Sequence, residues 1–525
     1  MADSSTVGID YEKYAGILAH PTSFPSPYGI GDLGPGAYAF VDFLEKSGLN
    51  LWQVLPMGHT GFGDSPYQPF SSFAGQPLVI SIDDLRKAGL LWDEDFYEMP
   101  QWAPCHVEYG EAIAFKTGLL KKAYERFEDP EISDAYSTSE EFVSEYEEFC
   151  KTSDWLDDYA LFMAGKDYFQ GAPWYMWEDS LKKPTAKQKK EWMTKLSKEV
   201  GYYRFVQYLF HKQWFALKEY ANNKDIKIVG DMPIFVALDS VDVWCNKNLF
   251  DLDSKGYPKT VAGVPPDYYS EDGQLWGNPL YKWKEHTKTG YAWWIKKIRH
   301  QLVLADFLRI DHFRGFDKCW AVPYGEETAV NGKWVKVPGE DLFTKLEAAL
   351  GHNMPIIAED LGDIDQDVIN LRDKFGLPGM RILQFGFENP KDNSFLPHNY
   401  VRNCVCYTGT HDNDTTFGWY QKCYETSRDK LRRYFNTDGG DVCWTLIRAC
   451  FASVANMAIV PMQDVLCLDS WARFNTPGVG EGNWAWRFRE EDMNEQLVSR
   501  LFETAKLFGR LQEKEIDSDD ETDEL

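Results

Sequence analysis

Apolar residues in this chain recur at two spacings. In "GAYAFVDFLEKSG" (36–48) they return every three or four positions, whereas the next run, "NLWQVLP" (50–56), is short and almost wholly apolar. The first spacing marks one buried helix face, and the second marks a strand covered on both sides. The pair repeats along the chain. "YRFVQYLFHKQWFALKEYANN" leads to "IKIVGDMP", "GYAWWIKKIRHQLVLA" to "DFLRIDHF", "EDLFTKLEAALG" to "PIIAEDLG", and "DIDQDVINLRDKFG" to "MRILQFGF". "NCVCYTGTHDND" follows, and "DVCWTLIRACFASVAN" precedes "MAIVPMQDVL". With "PLVISI" (77–82) read as a strand, there are eight strands, each separated from the next by enough chain for a helix. The pattern predicts an α/β fold, a (β/α)8 TIM barrel, with a doubly wound open sheet as the alternative. Residues 85–200 interrupt the repeat with charged, helix-period sequence and read as an inserted, largely helical subdomain.

A barrel demands that chemistry gather where strands end, at the carboxyl face. Asp231 ends the third expected strand, Arg309 and Asp311 the fourth, Glu359 and Asp360 the fifth, and His411 and Asp412 the seventh. A single carboxylate at a strand end is equally well explained as a cap for the next helix. Several together point to paired-carboxylate chemistry, in which one acid protonates a glycosidic oxygen and the other attacks or shields the anomeric carbon. Two histidines near the cluster and no H-x-x-x-H spacing argue against a metal. Side chains alternate along a strand, so Arg309 and Asp311 share a face, and the guanidinium favours an ionised nucleophile. Glu359 and Asp360 must face opposite ways; periodicity does not choose between them, and the longer reach of Glu359 favours it as the acid. By the same alternation His312 and Arg314 point away from the cavity and are expected to support rather than react, with Phe313 opening the following loop.

Composition narrows the partners. The 525 residues carry 55 Lys and Arg against 82 Asp and Glu, a formal charge of -27 with no basic stripe, which excludes nucleic acid as an expected partner. Trp 20, Tyr 28 and Phe 33 supply flat rings suited to a ligand with CH faces and hydroxyls, although core packing accounts for most of them. Ten cysteines without a C-x-x-C pair read as reduced thiols, and Cys404 and Cys406 share a strand face. The N-terminus lacks an apolar signal core and no run is long enough to span a membrane. We therefore expect an intracellular protein, in cytoplasm or plastid stroma, with no membrane partner. "GIGDLG" (29–34) fits the dinucleotide fingerprint, but "HPTSFPSPY" before it is a poor strand, so a surface loop entering a helix is expected. The tail "EIDSDDETDEL" reads as a solvated acidic end.

"RIDHFRGF", "AEDLGDI", "YTGTHDND", "GDMPIFVA" and "DSPYQPFSSFAG" together resemble the signature segments of the 4-α-glucanotransferases, the amylomaltases or disproportionating enzymes of glycoside hydrolase family seventy-seven. The likeness runs from "GILAHPTSF" at residue 16 to "EGNWAWRF" ending at 488. It implies an α-amylase-like barrel with inserted subdomains at the carboxyl face and no separate C-terminal β domain. Residue by residue, it implies that Asp311 is the nucleophile, Glu359 the general acid/base and Asp412 the transition-state stabiliser, while Asp231, Arg309 and His411 line the sugar site. "GVPPDYYSEDGQLWGNP" (263–279), with Tyr268, Tyr269 and Trp276, resembles the family's lid and would close over glucan to exclude water. In the segment 64–77, Ser65 and Tyr67 are candidate sugar contacts, or else parts of a packed turn. No cofactor is implied; the partners are an α-1,4-glucan donor and a glucose or oligosaccharide acceptor. The expected organisation is an N-terminal extension (1–15), the catalytic barrel (16–512) and the acidic tail (513–525). Three functional readings follow: glucan transfer, hydrolysis of the amylase type, and a glucan-binding protein without turnover.

Overall fold

A computed structural model describes residues 13–129, 139–266, 270–388 and 393–511. The acidic tail and the first twelve residues lie outside this range. Twelve strands occur in it: β1 (Tyr14–Leu18), β2 (Leu51–Gln53), β3 (Lys227–Pro233), β4 (Thr260–Val264), β5 (Gln274–Pro279), β6 (Phe307–Asp311), β7 (Lys318–Pro323), β8 (Lys333–Lys336), β9 (Ile356–Ala358), β10 (Gly379–Ile382), β11 (Cys404–Tyr407) and β12 (Met457–Pro461). Eight of them form a parallel sheet in the order β10-β11-β12-β1-β2-β3-β6-β9. The Ala358 N–H donates to the Pro378 carbonyl at 2.9 Å, which brings β9 against β10 and closes the ring. Helices cover the outside, so both faces of these strands are buried and the expected TIM barrel is the fold.

Two strand assignments change. "PLVISI" is not a strand: Pro77–Val79 is a 3-10 turn in which the Gln76 side chain accepts from the Leu78 N–H, and Ser81 then caps the helix Ile82–Lys87. A short buried apolar run does not distinguish strand from turn, and here a proline without an N–H and two capping side chains decide. The first barrel strand is β1, which begins at Tyr14, inside the stretch expected to be an N-terminal extension. It pairs with β12 from Tyr14↔Met457 to Leu18↔Pro461 and with β2 from Gly16 to Leu18. The ordinal positions of the third to eighth strands are unaffected.

Between β2 and β3 lie the helices Tyr109–Phe127, Glu140–Thr152, Leu156–Tyr168, Ala186–Lys195 and Ser197–Asn222. The last crosses residue 200 without a break and also serves as the helix that leads into β3, so the insertion and the barrel share it. "GIGDLG" is buried rather than a surface loop. Asp32 at its centre accepts from Ser26 and from the Gly34 N–H, and pairs at 3.4 Å with Lys116 of the Tyr109–Phe127 helix, which is itself fully buried. The 3-10 turn Pro21–Ser23 and a loop, not a strand, run directly into the motif, which anchors the helical insertion to the barrel. Gly31 is required there because a Cβ would lie 2.1 Å from the Pro21 carbonyl oxygen.

The segment expected to be a lid is largely a hairpin. β4 and β5 pair antiparallel and join β7 and β8 in a second sheet, β5-β4-β7-β8, inserted after β3 and β6. Tyr268 and Tyr269 fall outside the described residues. All ten cysteines are free thiols, with Cys404, Cys406 and Cys450 buried together beside Arg510. That arginine, fully buried, donates to the carbonyls of Tyr14, Cys450, Phe451, Ser453, Ala455 and Asn456, tying the end of the last helix to the amino end of the barrel. Among the described residues no helix is long and apolar enough to cross a membrane.

Candidate active site

The parallel register sets the site. Asp231 on β3 is opposite Arg309 on β6, and Ile310 on β6 is opposite Ala358 on β9, so Asp311 and Glu359 emerge side by side at adjacent strand ends. The Glu359 N–H donates to the Ile310 carbonyl at 3.1 Å, extending that register by one residue.

Arg309 is buried and forks between two acids: Nη1 donates to Asp231 Oδ2 at 2.6 Å and Nη2 to Asp311 Oδ1 at 2.9 Å. Burial by itself would lower its pKa, but the Asp231 and Asp311 carboxylates outweigh that and keep the guanidinium charged. The predicted shared face of Arg309 and Asp311 is therefore present. Asp231 Oδ2 also accepts from the Tyr67 hydroxyl at 2.8 Å, while its buried Oδ1 has no partner among the described residues. Burial and the same carboxylate hold the Tyr67 phenol well above its ordinary value, so it stays a donor. Ser65 is placed one step back: its hydroxyl accepts from the Tyr67 N–H at 3.3 Å and shapes the turn that aims Tyr67.

Glu359 and Asp360 separate as alternation requires, and the structure chooses between them. Asp360 accepts from the Met380 N–H at 2.7 Å and pairs with Arg372, a structural role on the outer side. Glu359 turns inward, where its two oxygens accept from the N–H groups of His312 at 2.7 Å and Leu361 at 2.8 Å. Those donors favour the carboxylate, yet burial, followed by the Asp311 charge, pushes its pKa up to about 8. The result is a proton held on Glu359 beside Asp311, which is ion-paired with Arg309.

His312 corrects the sequence expectation. Its φ of 54 is left-handed, so strand alternation ends at Asp311. The turn aims its N–H at Glu359 and brings its ring edge-on to Trp276 of β5, with centroids 4.8 Å apart and planes at 86°. Burial lowers the His312 pKa to about 4, so the ring is neutral at neutral pH. Phe313 packs into the core against Phe316 and Phe343. Arg314 is buried support: it donates to the Asp363 carbonyl and stacks 4.1 Å from the Trp334 ring centroid, joining the loop after Asp311 to the loop after Glu359. The nearby Asp317, Asp365 and Asp367 form the one group of acids close enough to hold a cation among the described residues. Lys318, Lys336 and Arg314 already pair with it.

On the opposite wall His411 and Asp412 follow β11. His411 is buried and stacks on Tyr67, with centroids 5.2 Å apart and planes at 15°, and its Nε2 lies 3.3 Å from Asp412 Oδ1. Asp412 is the most open of the three carboxylates, with its side chain 43% exposed against 29% for Asp311. It is held from behind: Asn475 Nδ2 donates to Oδ1 and Arg473 Nη2 donates to its backbone carbonyl, both at 2.6 Å. Sequence reasoning missed Asn475, Arg473 and Trp484. Trp484 has a left-handed φ of 64, sits within 6.0 Å of both Tyr67 and His411, and offers its carbonyl to the Tyr109 hydroxyl at 2.9 Å. All three lie in the loop after β12, far enough along the chain that the strand-end rule does not reach them.

A family model described as 4-alpha-glucanotransferase matches residues 19–493. The 4-alpha-glucanotransferase of Synechocystis is 47% identical over 509 residues, covering 95% of this chain and 98% of that one. Its counterpart from Thermus thermophilus is 46% identical over 508 residues, covering 94% and 99%. The solved amylomaltase from Streptococcus agalactiae, in complex with acarbose, superposes with a TM-score of 0.91 at 38% identity over 95% of this chain and all of that one. With matches that span nearly the whole length and a barrel whose strand ends carry the three carboxylates, this chain belongs to the 4-alpha-glucanotransferase family.

Proposed function

We propose that this chain cleaves α-1,4-glucans with retention and passes the released glucan to the 4-OH of an acceptor sugar. The observation that carries this reading is the unlike settings of two neighbouring acids: Asp311 is ion-paired with Arg309 at 2.9 Å, and Glu359 is buried, which pushes its pKa up to about 8. Asp311 attacks the anomeric carbon while Glu359 gives its proton to the departing glycosidic oxygen. The product of that step is a glucosyl ester on Asp311 and a free hydroxyl on the departing sugar. Ester formation removes the Asp311 charge, so Glu359 holds its next proton less tightly and serves as base for the incoming hydroxyl. A sugar hydroxyl gives transfer, and water gives hydrolysis.

The surrounding groups fit sugar recognition. Asp231 keeps one buried oxygen unpartnered, His411 and Asp412 face the same space, and Trp276 and His312 wall it with aromatic edges. Contacts that tighten as the ring flattens lower the barrier to an oxocarbenium-like state. The acarbose bound by the Streptococcus agalactiae relative, an oligosaccharide analogue, supports a site of this shape.

Incubation with maltotriose tests the reading. Glucose together with longer oligosaccharides is the expected outcome; shortened products alone would identify a hydrolase, and unchanged maltotriose a binding protein. Asp311→Asn is expected to abolish turnover while maltotriose still binds, and substantial retained turnover would remove Asp311 from the role of nucleophile.

A further inference from the structure

We propose a second glucan-binding surface, remote from the carboxylates, formed by Tyr175, Tyr257 and Tyr324; it rests on the glucan-transfer reading above. The three tyrosines come from separate parts of the chain. Tyr175 lies in the short turn Trp174–Met176 of the helical insertion, Tyr257 just before β4, and Tyr324 just after β7. Their rings nevertheless form one row, with centroids 5.2 Å apart from Tyr175 to Tyr257 and 6.0 Å from Tyr257 to Tyr324. Tyr324 is 48% exposed, and Met176 beside Tyr175 is 67% exposed.

The base of the row is fixed. Trp174 is fully buried, and its Nε1 donates to the Leu238 carbonyl at 2.7 Å. Gly256 presses on it so closely that a Cβ would lie 2.8 Å from the ring. The Tyr324 N–H donates to the Lys259 carbonyl at 3.1 Å, and Lys182 Nζ to the Tyr175 carbonyl at 2.6 Å. Tyr175 and Tyr257 are half-buried, and Tyr324 is exposed.

Chemistry and position select the occupant. A pyranose presents C–H bonds on its faces and hydroxyls around its rim; a phenol offers a flat apolar face and a hydroxyl at its edge. The row also continues the sheet that carries Trp276. β4 pairs with Pro323 of β7 at Thr260 and with Leu275 of β5 at Gly263, so the tyrosine end and the Trp276 region are separated by about three residues of strand, roughly 10 Å. A glucan that passes Trp276 and runs along β4 would reach the tyrosines after a few more sugar rings. Maltotriose seated at the carboxylates would not. The second contact on the same polymer would act through effective concentration, and so would show only with long substrates.

The test compares maltotriose with long amylose in the full chain. Tyr324→Ala, alone and with Tyr257→Ala, is expected to raise KM for amylose about fivefold or more, leaving kcat and the maltotriose constants unchanged. Tyr324→Trp, which keeps a flat ring, is expected to retain the original amylose KM and so separates loss of stacking from damage to the fold. An unchanged amylose KM overturns the proposal, as does an equal rise for maltotriose. A variant that alters oligomeric mass without altering amylose KM would mark the face as a contact between copies of the chain and would equally overturn it. Absence of maltotriose disproportionation by the unmodified protein would count against the transfer reading itself, not against the tyrosine row alone.

Discussion

Replacing Asp311 by asparagine removes a negative charge from the strand end beside Glu359 and leaves the packing nearly unchanged. The Ile310↔Ala358 register puts the two side chains on neighbouring strands, about 4.8 Å apart at the backbone. If the carboxyl groups keep the separation of about 5.5 Å used by retaining enzymes, two unit charges at an effective dielectric of about 20 repel by about 3 kcal/mol. That corresponds to about two pH units in the Glu359 titration. Arg309, 2.9 Å from Asp311, screens part of the repulsion, so the expected fall in Asp311→Asn is about one to two pH units below the starting value of about 8. Carbon-13 NMR of labelled glutamate, with Glu359→Gln to assign the signal, measures it directly. An unmoved titration would show that burial alone sets the proton, and a wild-type titration near the ordinary 4.5 would refute the protonated acid altogether. The same proton governs rate and stability. Glycosidic cleavage is expected to decline as pH rises through about 8, where the acid is lost. The native state holds a proton that the unfolded chain releases near 4.5, so this stabilisation is complete below 4.5 and is lost as pH rises towards 8.

Trp276→Ala removes the ring that stands against His312, the residue whose N–H reaches Glu359. KM for glucan is expected to rise about tenfold, with a larger hydrolysed fraction when reducing ends are counted against free glucose; an unchanged ratio would show that Trp276 does not shield the intermediate. Arg510→Met leaves several of its buried carbonyl partners unsatisfied and is expected to cost about 3 kcal/mol or more. A lowered urea midpoint, with unchanged KM for maltotriose in the folded protein, is the corresponding measurement, and an unshifted midpoint would show that the Arg510 hydrogen bonds do not hold the chain ends together.

The third to eighth strands were legible because each is a short apolar run leading into polar residues, and all but the seventh follow a helix-period segment. Asp231, Arg309, Asp311, Glu359 and Asp412 were legible for the same reason: a charged group directly behind a run built for burial has to lie where the barrel wall opens. β1 was not, since five residues near the end of the chain carry little periodicity. "PLVISI" misled because its apolar content matches a strand while its hydrogen bonds belong to a turn. "GIGDLG" became intelligible only with Lys116, which is 84 residues away and reaches Asp32 from the helical insertion. Asn475 and Arg473 are silent in the sequence because their role is to hold another residue across a separation of about sixty positions.

The sequence by itself determined six of the eight barrel strands in their order, and the polar groups at their ends, because periodicity and side-chain type are local properties. Tertiary structure decided the division of labour. Glu359 and Asp360 are neighbours with like side chains, yet one meets Arg372 and remains structural while the other is buried beside Asp311 and keeps its proton. The left-handed His312 ends the strand one residue past Asp311 and supplies an N–H to Glu359. A carboxyl group's protonation depends on the water, charges and donors around it, and those arrive from strands and loops that only folding brings together.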